Sequence, residues 1–257
     1  EISCSLVGSE MCIRDSYEGT PFEITNDAGA GLYDMPYRPT PLVWEHDGKK
    51  YFNERPISTQ QSGYTVVAQM RDYLPNAIGG VLWFGNDDPN MIAYTPVYCS
   101  ATTAPSCYTG EYGDPVTFSW KSAFWVCNWV ANMTYPRYSQ LFPSLEAQRD
   151  SLETRYLNQQ AEIEKEAASL YRQEPKQAIA YLTTYTIDCA ELMMKEWKQL
   201  GEYLIVKFND MTIKPEKNGH FTRTPEGLGS TPLRPGLTQQ AKKTIIQTTG
   251  NKYLLPE

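Results

Sequence analysis

"YTVVAQMRDYLPNAIGGVLWFGNDDPNMIAYTPVYC", residues 64–99, holds three apolar, β-rich runs: "YTVVAQM", "AIGGVLWFG" and "MIAYTPVYC". The turn signals "DYLPN" and "NDDPN" separate them. Short β-branched and aromatic runs punctuated in this way are the pattern of adjacent strands in one sheet. The middle run is apolar throughout and is expected to be covered on both faces.

Downstream, the period changes. In "SAFWVCNWVANMTYPRYSQLF" the residues Phe124, Cys127, Trp129, Val130 and Met133 fall near helical spacing, with Ser119 or Ser122 as the N-cap. After Pro143, "SLEAQRDSLETRYLNQQAEIEKEAASLYRQ" predicts a long helix with Leu145, Arg149, Leu152, Tyr156, Ala161, Ile163 and Leu170 on its apolar side. A second long helix follows, with Pro175 in its first turn and Gly201 at its end. Leu182, Thr186, Cys189, Met193 and Leu200 share one stripe of it, which makes Cys189 a core residue. "EYLIVKFND", residues 202–210, reads as one more strand, and a Pro- and Gly-rich arm leads to a short final helix. Upstream, residues 17–62 read as loops with short extended pieces, and Asp47-Gly48 is placed at the tip of a hairpin. Strands, then two long helices, then a returning strand indicate an α+β class with helices packed on a sheet.

The composition narrows the partners. With 257 residues, 41% of them hydrophobic and 12% aromatic, the chain can bury a sizeable core. A net charge of -7 and the lack of any basic run exclude nucleic acid and anionic membrane surfaces as expected partners. No apolar stretch is long enough to span a bilayer.

The search for chemistry gives few residues. The cysteines are Cys4, Cys12, Cys99, Cys107, Cys127 and Cys189, with no C-x-x-C pair, and the histidines are His46 and His220. That leaves no ligand set for a metal, and no cofactor is expected. Cys99 and Cys107 flank "CSATTAPSC" and are compatible either with a disulfide or with two free thiols. There is no G-x-S-x-G elbow. Three substrate-binding candidates remain. Asp87, in "WFGNDDPN", has either a role toward a substrate amine or metal or a place in a tight turn. Arg55, close to Ser58, Thr59 and Gln60, either clamps a carboxylate or satisfies loop backbone. Asn128, flanked by aromatics, either donates to an oxyanion or caps a loop.

At "YEGTP", "ERPISTQQSGYTVVAQMRDYLPNAIGGVLWFGNDDPNMIAYTPVYC", "SAFWVCNWVANMTYPRYS" and "LGEYLIVKFNDMTIKPEKNG" the sequence resembles the PepD-type dipeptidases. These are N-terminal-nucleophile hydrolases whose relatives include the secernins. The resemblance runs from Tyr17 to Glu257. It implies an αββα sandwich and metal-free hydrolysis of dipeptides by an N-terminal cysteine whose own α-amino group is the base. That family's nucleophile sits in a short motif of small residues followed by an Asn-Glu-Asp-like stretch, which is found nowhere in these 257 residues. No catalytic residue is therefore assigned here. Residues 17–257 are expected to be the C-terminal part of the domain, and the nucleophile to lie upstream. Two further expectations follow. One is association into a homo-oligomer through faces meant for the rest of the sandwich; the other is a compartment left open between export (periplasmic or extracellular) from a gut-type bacterium and the cytoplasm. The alternative from another class is a non-catalytic, secernin-like peptide-binding or regulatory protein.

Residues 1–16 stand outside the resemblance. "SLVGSEMCIRDS" looks like a translated sequencing adapter, lacks a targeting pattern, and is excluded from the fold expectation.

Overall fold

The three apolar runs form one antiparallel sheet. β3 (Tyr64–Met70), β4 (Gly80–Asn86) and β5 (Thr95–Tyr98) lie in that order, with Tyr64 opposite Asn86 and Val81 opposite Tyr98. This computed structural model describes residues 12–256, so Cys4 and most of the adapter-like stretch lie outside the described residues. The chain divides into two units. Among the described residues the first comprises 12–15, Ile57–Ala131 and Leu145–Leu200, and the second Ser16–Pro56, Asn132–Ser144 and 201–256.

In the first unit, β4 begins later than its apolar run. Asn76–Gly79 forms a single helical turn, α1, after Pro75. Gly79 then passes so close to β3 that an added Cβ would meet the Arg71 carbonyl oxygen at 2.4 Å, and only glycine fits there. β4 alternates between buried and half-buried positions, so the expectation that both faces are fully covered holds for one face only. The inner face carries Val81, Trp83 and Tyr98, all buried. The outer face leaves Tyr64, Val66 and Met70 exposed.

Helices cover the inner face. α3 (Tyr138–Gln173) and α4 (Pro175–Phe208) are joined through Glu174 alone, with Pro175 at the first helical position, where its missing N–H costs nothing. The Gln148–Glu196 and Tyr156–Cys189 hydrogen bonds, 2.9 and 2.8 Å, advance along one helix as they retreat along the other, so within this unit the pair is antiparallel. The stripe Leu182, Thr186, Cys189, Met193 and Leu200 is buried as the spacing indicates. Ala161, by contrast, is exposed, while Leu145, Arg149, Leu152 and Tyr156 are buried. α3 also starts at Tyr138 and takes Pro143 into its second turn rather than beginning after it.

A polar network fixes sheet to helix. Trp83 Nε1 and Gln160 Nε2 both donate to Gln69 Oε1, at 3.2 and 2.7 Å. Glu164 Oε1 accepts from Gln160 at 3.0 Å and from Tyr98 at 3.1 Å, and pairs with the buried Arg71. Gln69, Arg71, Trp83, Tyr98, Gln160 and Glu164 thereby each have a partner, as burial requires.

The second unit contains β1 (Val43–His46) and β2 (Lys49–Phe52), a hairpin turning at Asp47-Gly48. Both turn residues have positive φ, 49° and 71°, the primed turn that matches strand twist. Arg38 is buried and donates to the Ile24 carbonyl and to Asp27, at 2.5 and 2.8 Å. Two-residue strands β6 (Glu216–Lys217) and β7 (His220–Phe221) form a second hairpin, and α5 (Gln239–Thr249) is capped by Thr238, whose hydroxyl accepts from Ala241 N–H at 3.2 Å.

Residues 202–210 correct the sequence reading. "EYLIVKF" is helical: α4 runs through Gly201 to Phe208, and the chain leaves the helix only where Asp210 and Met211 adopt positive φ. The β-branched pair is misleading because Ile205 and Val206 are the exposed residues, 48% and 45%. Leu200, Leu204 and Phe208 are buried at a spacing of four, the helical period. Propagating a helix already formed costs less than starting a strand, and one glycine does not stop it.

Candidate active-site cavity

At the open end of the β3–β4 pair the first unit holds a cavity of about 310 Å³. Tyr64 and Asn86 are directly opposite each other in the sheet and both line it. Side chains paired this way share a face, here the outer one. Phe84 stacks with Tyr64 and meets Tyr108 edge-on, at centroid distances of 6.0 and 4.8 Å. Tyr108, another lining residue, shares a 2.6 Å hydroxyl hydrogen bond with Thr95 of β5.

The other wall is built by α2 (Ala123–Thr134) and the turn before it. Ser122 precedes the helix and its carbonyl accepts from Val126 N–H at 3.1 Å, as the N-cap position requires. Phe124 and Trp125, in the first helical turn, face the cavity. The turn Asp114–Thr117 closes with a 3.1 Å backbone bond, and Trp125 Nε1 donates to the Asp114 carbonyl at 3.0 Å. Gly113 has φ 147°, and a Cβ there would meet the Thr117 carbonyl oxygen at 2.8 Å. Asp114 is exposed, and its carboxylate accepts from Val116 N–H at 2.8 Å, which holds its pKa below the usual value.

The loop after β4 has the opposite character. Asp87 and Asp88 are both fully buried. Asp88 Oδ1 accepts from the Ser58 hydroxyl and from Asn90 N–H, the latter at 3.2 Å. Arg149 of α3 donates to both the backbone and side-chain oxygens of Asn90, at 3.0 and 2.9 Å. Glu153 accepts from Tyr94 N–H at 2.8 Å and pairs with Arg14, which also donates to the Pro89 carbonyl at 3.0 Å. Arg14 and Asp15, from the stretch excluded on sequence grounds, thus contact this unit; the Asp15 carbonyl accepts from Ile57 N–H at 3.1 Å. Both Asp87 carboxylate oxygens are buried with no hydrogen bond of ordinary geometry. Burial, then the neighbouring Asp88 charge, push the Asp87 pKa up to about 8, against smaller downward effects of the Asp88 backbone and the Asn128 side chain.

Of the three sequence candidates, Asp87 and Asn128 are therefore neighbours in the first unit. Arg55 is exposed and belongs to the second unit, where its carbonyl accepts from the Tyr17 hydroxyl at 3.4 Å. The sequence reading did not single out Asn86, Asp114 or Trp125. Asn86 was visible as the last strand residue before Asp87, but Asp114 carries no pattern beyond a Pro-containing turn.

The described thiols divide by burial. Cys107 and Cys189 are buried and pushed up to about 12, chiefly by desolvation, and Cys127 is raised well above the ordinary value for the same reason. A thiol in that state is a poor nucleophile. Cys12 and Cys99 are exposed, and Cys99 and Cys107 are both free, so the two-thiol alternative describes this loop. No helix among the described residues is long and apolar enough to cross a membrane.

Among curated proteins, none matches the chain. A family model described as "Peptidase family C69" matches residues 4–151, more than half of the chain. That span contains the whole three-stranded sheet and every residue lining the cavity. The chain belongs to peptidase family C69, a family of cysteine peptidases.

Proposed function

We propose that this chain is the pocket-bearing part of a dipeptidase whose cysteine nucleophile is supplied by sequence upstream of residue 1. The observation that carries the reading is the family match enclosing a small-ligand cavity, at the lower end of the roughly 300–1,000 Å³ typical of such sites. Two others support it. The motif expected around an N-terminal nucleophile is missing from the 257 residues, and the buried thiols of the first unit are held protonated. In this role Asn128 and Asp87 lie beside the strand end that borders the cavity, within the first unit.

The reading extends to the fold. The uncovered apolar face of the sheet, with Tyr64 and Met70 each 68% exposed, is where a second sheet of an αββα sandwich packs. Without it, that face drives self-association. The test is to join the chain to its upstream reading frame and assay a dipeptide panel before and after alkylation. Metal-independent, alkylation-sensitive turnover by the joined protein and none by residues 1–257 alone is the expected result. Turnover by residues 1–257 alone removes the upstream nucleophile, and binding without turnover in the joined protein favours the secernin-like alternative.

A further inference from the structure

The cavity is walled by rings that are already held in place. Phe84, itself outside the lining, supports two of them, stacking with Tyr64 and meeting Tyr108 edge-on. Tyr64 opens β3, so it stands at the end of the strand pair rather than along its face. On the other wall Phe124 and Trp125 meet edge-to-face, with centroids 5.2 Å apart and planes at 72°. The polar ends of this lining are spent inside the protein. Tyr108 shares its hydroxyl bond with Thr95, and the Trp125 indole N–H goes to the Asp114 carbonyl. The Asp114 carboxylate accepts from Val116 N–H, and the Thr109 hydroxyl donates to the Ser106 carbonyl at 2.8 Å. Among the described residues no lysine, arginine or histidine lines the space. What the cavity offers is carbon surface and fixed rings, which can receive another ring with little further ordering cost. Glycines keep it open. Gly63 and Gly110 both line it, neither has a positive φ, and an added Cβ at either would find nothing within 4 Å.

We propose that this cavity is a specificity pocket for an aromatic side chain of the peptide substrate, recognised through its ring and not through the charges of the peptide ends. Tyr64, Tyr108, Phe124 and Trp125 supply the edge and face contacts. Ring–ring contact adds to area burial, so phenylalanine is favoured over leucine, which fills similar space without a ring quadrupole. This inference rests on the dipeptidase reading of the same cavity and gives that reading a substrate class: dipeptides that carry an aromatic residue.

The test titrates three uncharged probes into the chain, N-acetyl-phenylalaninamide, N-acetyl-leucinamide and N-acetyl-alaninamide, followed by ligand-observed NMR. The phenylalanine probe is expected to bind about threefold to tenfold more tightly than the leucine probe, the scale of an aromatic pair beyond its area. It should exceed the alanine probe by more than about tenfold. Tyr64→Thr, at a position 68% exposed, is expected to keep the wild-type melting temperature and to weaken the phenylalanine probe about threefold. Gly110→Leu, which places a side chain where the structure is open, is expected to melt normally and to lose the probe. Equal affinity for the phenylalanine and leucine probes, no binding of the phenylalanine probe, or either variant melting normally and binding it as before each overturn the proposal. The two readings fail separately in the protein joined to its upstream frame. Equal kcat/KM for Phe-Ala, Ala-Phe and Ala-Ala, unmoved by Tyr64→Thr, removes the aromatic pocket and keeps the dipeptidase. Ring-selective binding with no turnover of any dipeptide does the reverse. A higher kcat/KM for Phe-Ala or for Ala-Phe than for Ala-Ala supports both and shows which residue supplies the ring.

Discussion

Two Asp-Pro turns of the first unit look alike in sequence, "NDDPN" at residues 86–90 and "GDPV" at residues 113–116, and have opposite chemistry. Asp87 is fully buried, has a positive φ of 86°, and is raised to about 8, so it is mostly neutral at pH 7. Asp114 is exposed, receives a backbone N–H and stays ionised. The first turn is held from outside by Arg149 and Glu153, and the second from within by its own backbone and the Trp125 indole. A carboxylate meant to attract a charge must remain wet enough to keep its own. One buried without hydrogen bonds of ordinary geometry, beside a second carboxylate, gives its charge up.

The largest expected way to break this contrast is Glu153→Gln. It leaves Arg14 without its charge partner and weakens the clamp on Tyr94, costing about 3 kcal/mol in urea unfolding. A change below about 1 kcal/mol would show that α3 does not hold the buried turn.

Asp87→Asn comes next. Asp87 has a folded pKa above its unfolded value, so the folded state binds the extra proton between about pH 4 and pH 8. Its contribution is fully present below the unfolded pKa and fades as pH rises through the folded one, by about 1.4 kcal/mol per pH unit. The asparagine variant, which tolerates positive φ, is expected to flatten that slope and to gain on wild type steadily as pH rises from 4 to 8. Denaturant midpoints measured from pH 4 to pH 9 check it, and parallel curves would return Asp87 to the ionised class.

Smaller effects sharpen the comparison. Folded protein at pH 8 with iodoacetamide should label Cys12 and Cys99 and spare Cys107, Cys127 and Cys189, as peptide mass mapping will read. Asp114→Asn should move stability least of all, leaving the same denaturant midpoints unchanged, because its carboxylate is exposed.

The fold was more legible than the site for a definite reason. The sheet of residues 64–99 and the two long helices declare themselves through periods of two and near four, repeated often enough to outweigh single residues. Residues 202–208 escaped because Tyr203, Ile205 and Val206 favour strand locally, whereas the buried set Leu200, Leu204 and Phe208 is recognised only once helix α4 is known to continue. The cavity residues come from strand ends, a turn and a helix start far apart in sequence, and no local pattern announces that Asn86, Asp114 and Trp125 share a space. Asp87 was found by its position after an apolar strand, but its burial, and therefore its protonation, depends on α3 and α2 folding over it.

The network of Gln69, Arg71, Trp83, Tyr98, Gln160 and Glu164 has a consequence for how this sheet assembles. β3 turns its more apolar side outward, so hydrophobicity alone would tolerate a register error of one residue, which exchanges the faces. The polar side chains remove that freedom. A slipped β3 would carry Gln69 away from the Trp83 indole and Arg71 away from Glu164, stranding three buried polar groups at once. The network is thus a proofreading device for strand alignment: it makes the wrong hairpin expensive at the moment α3 closes over it.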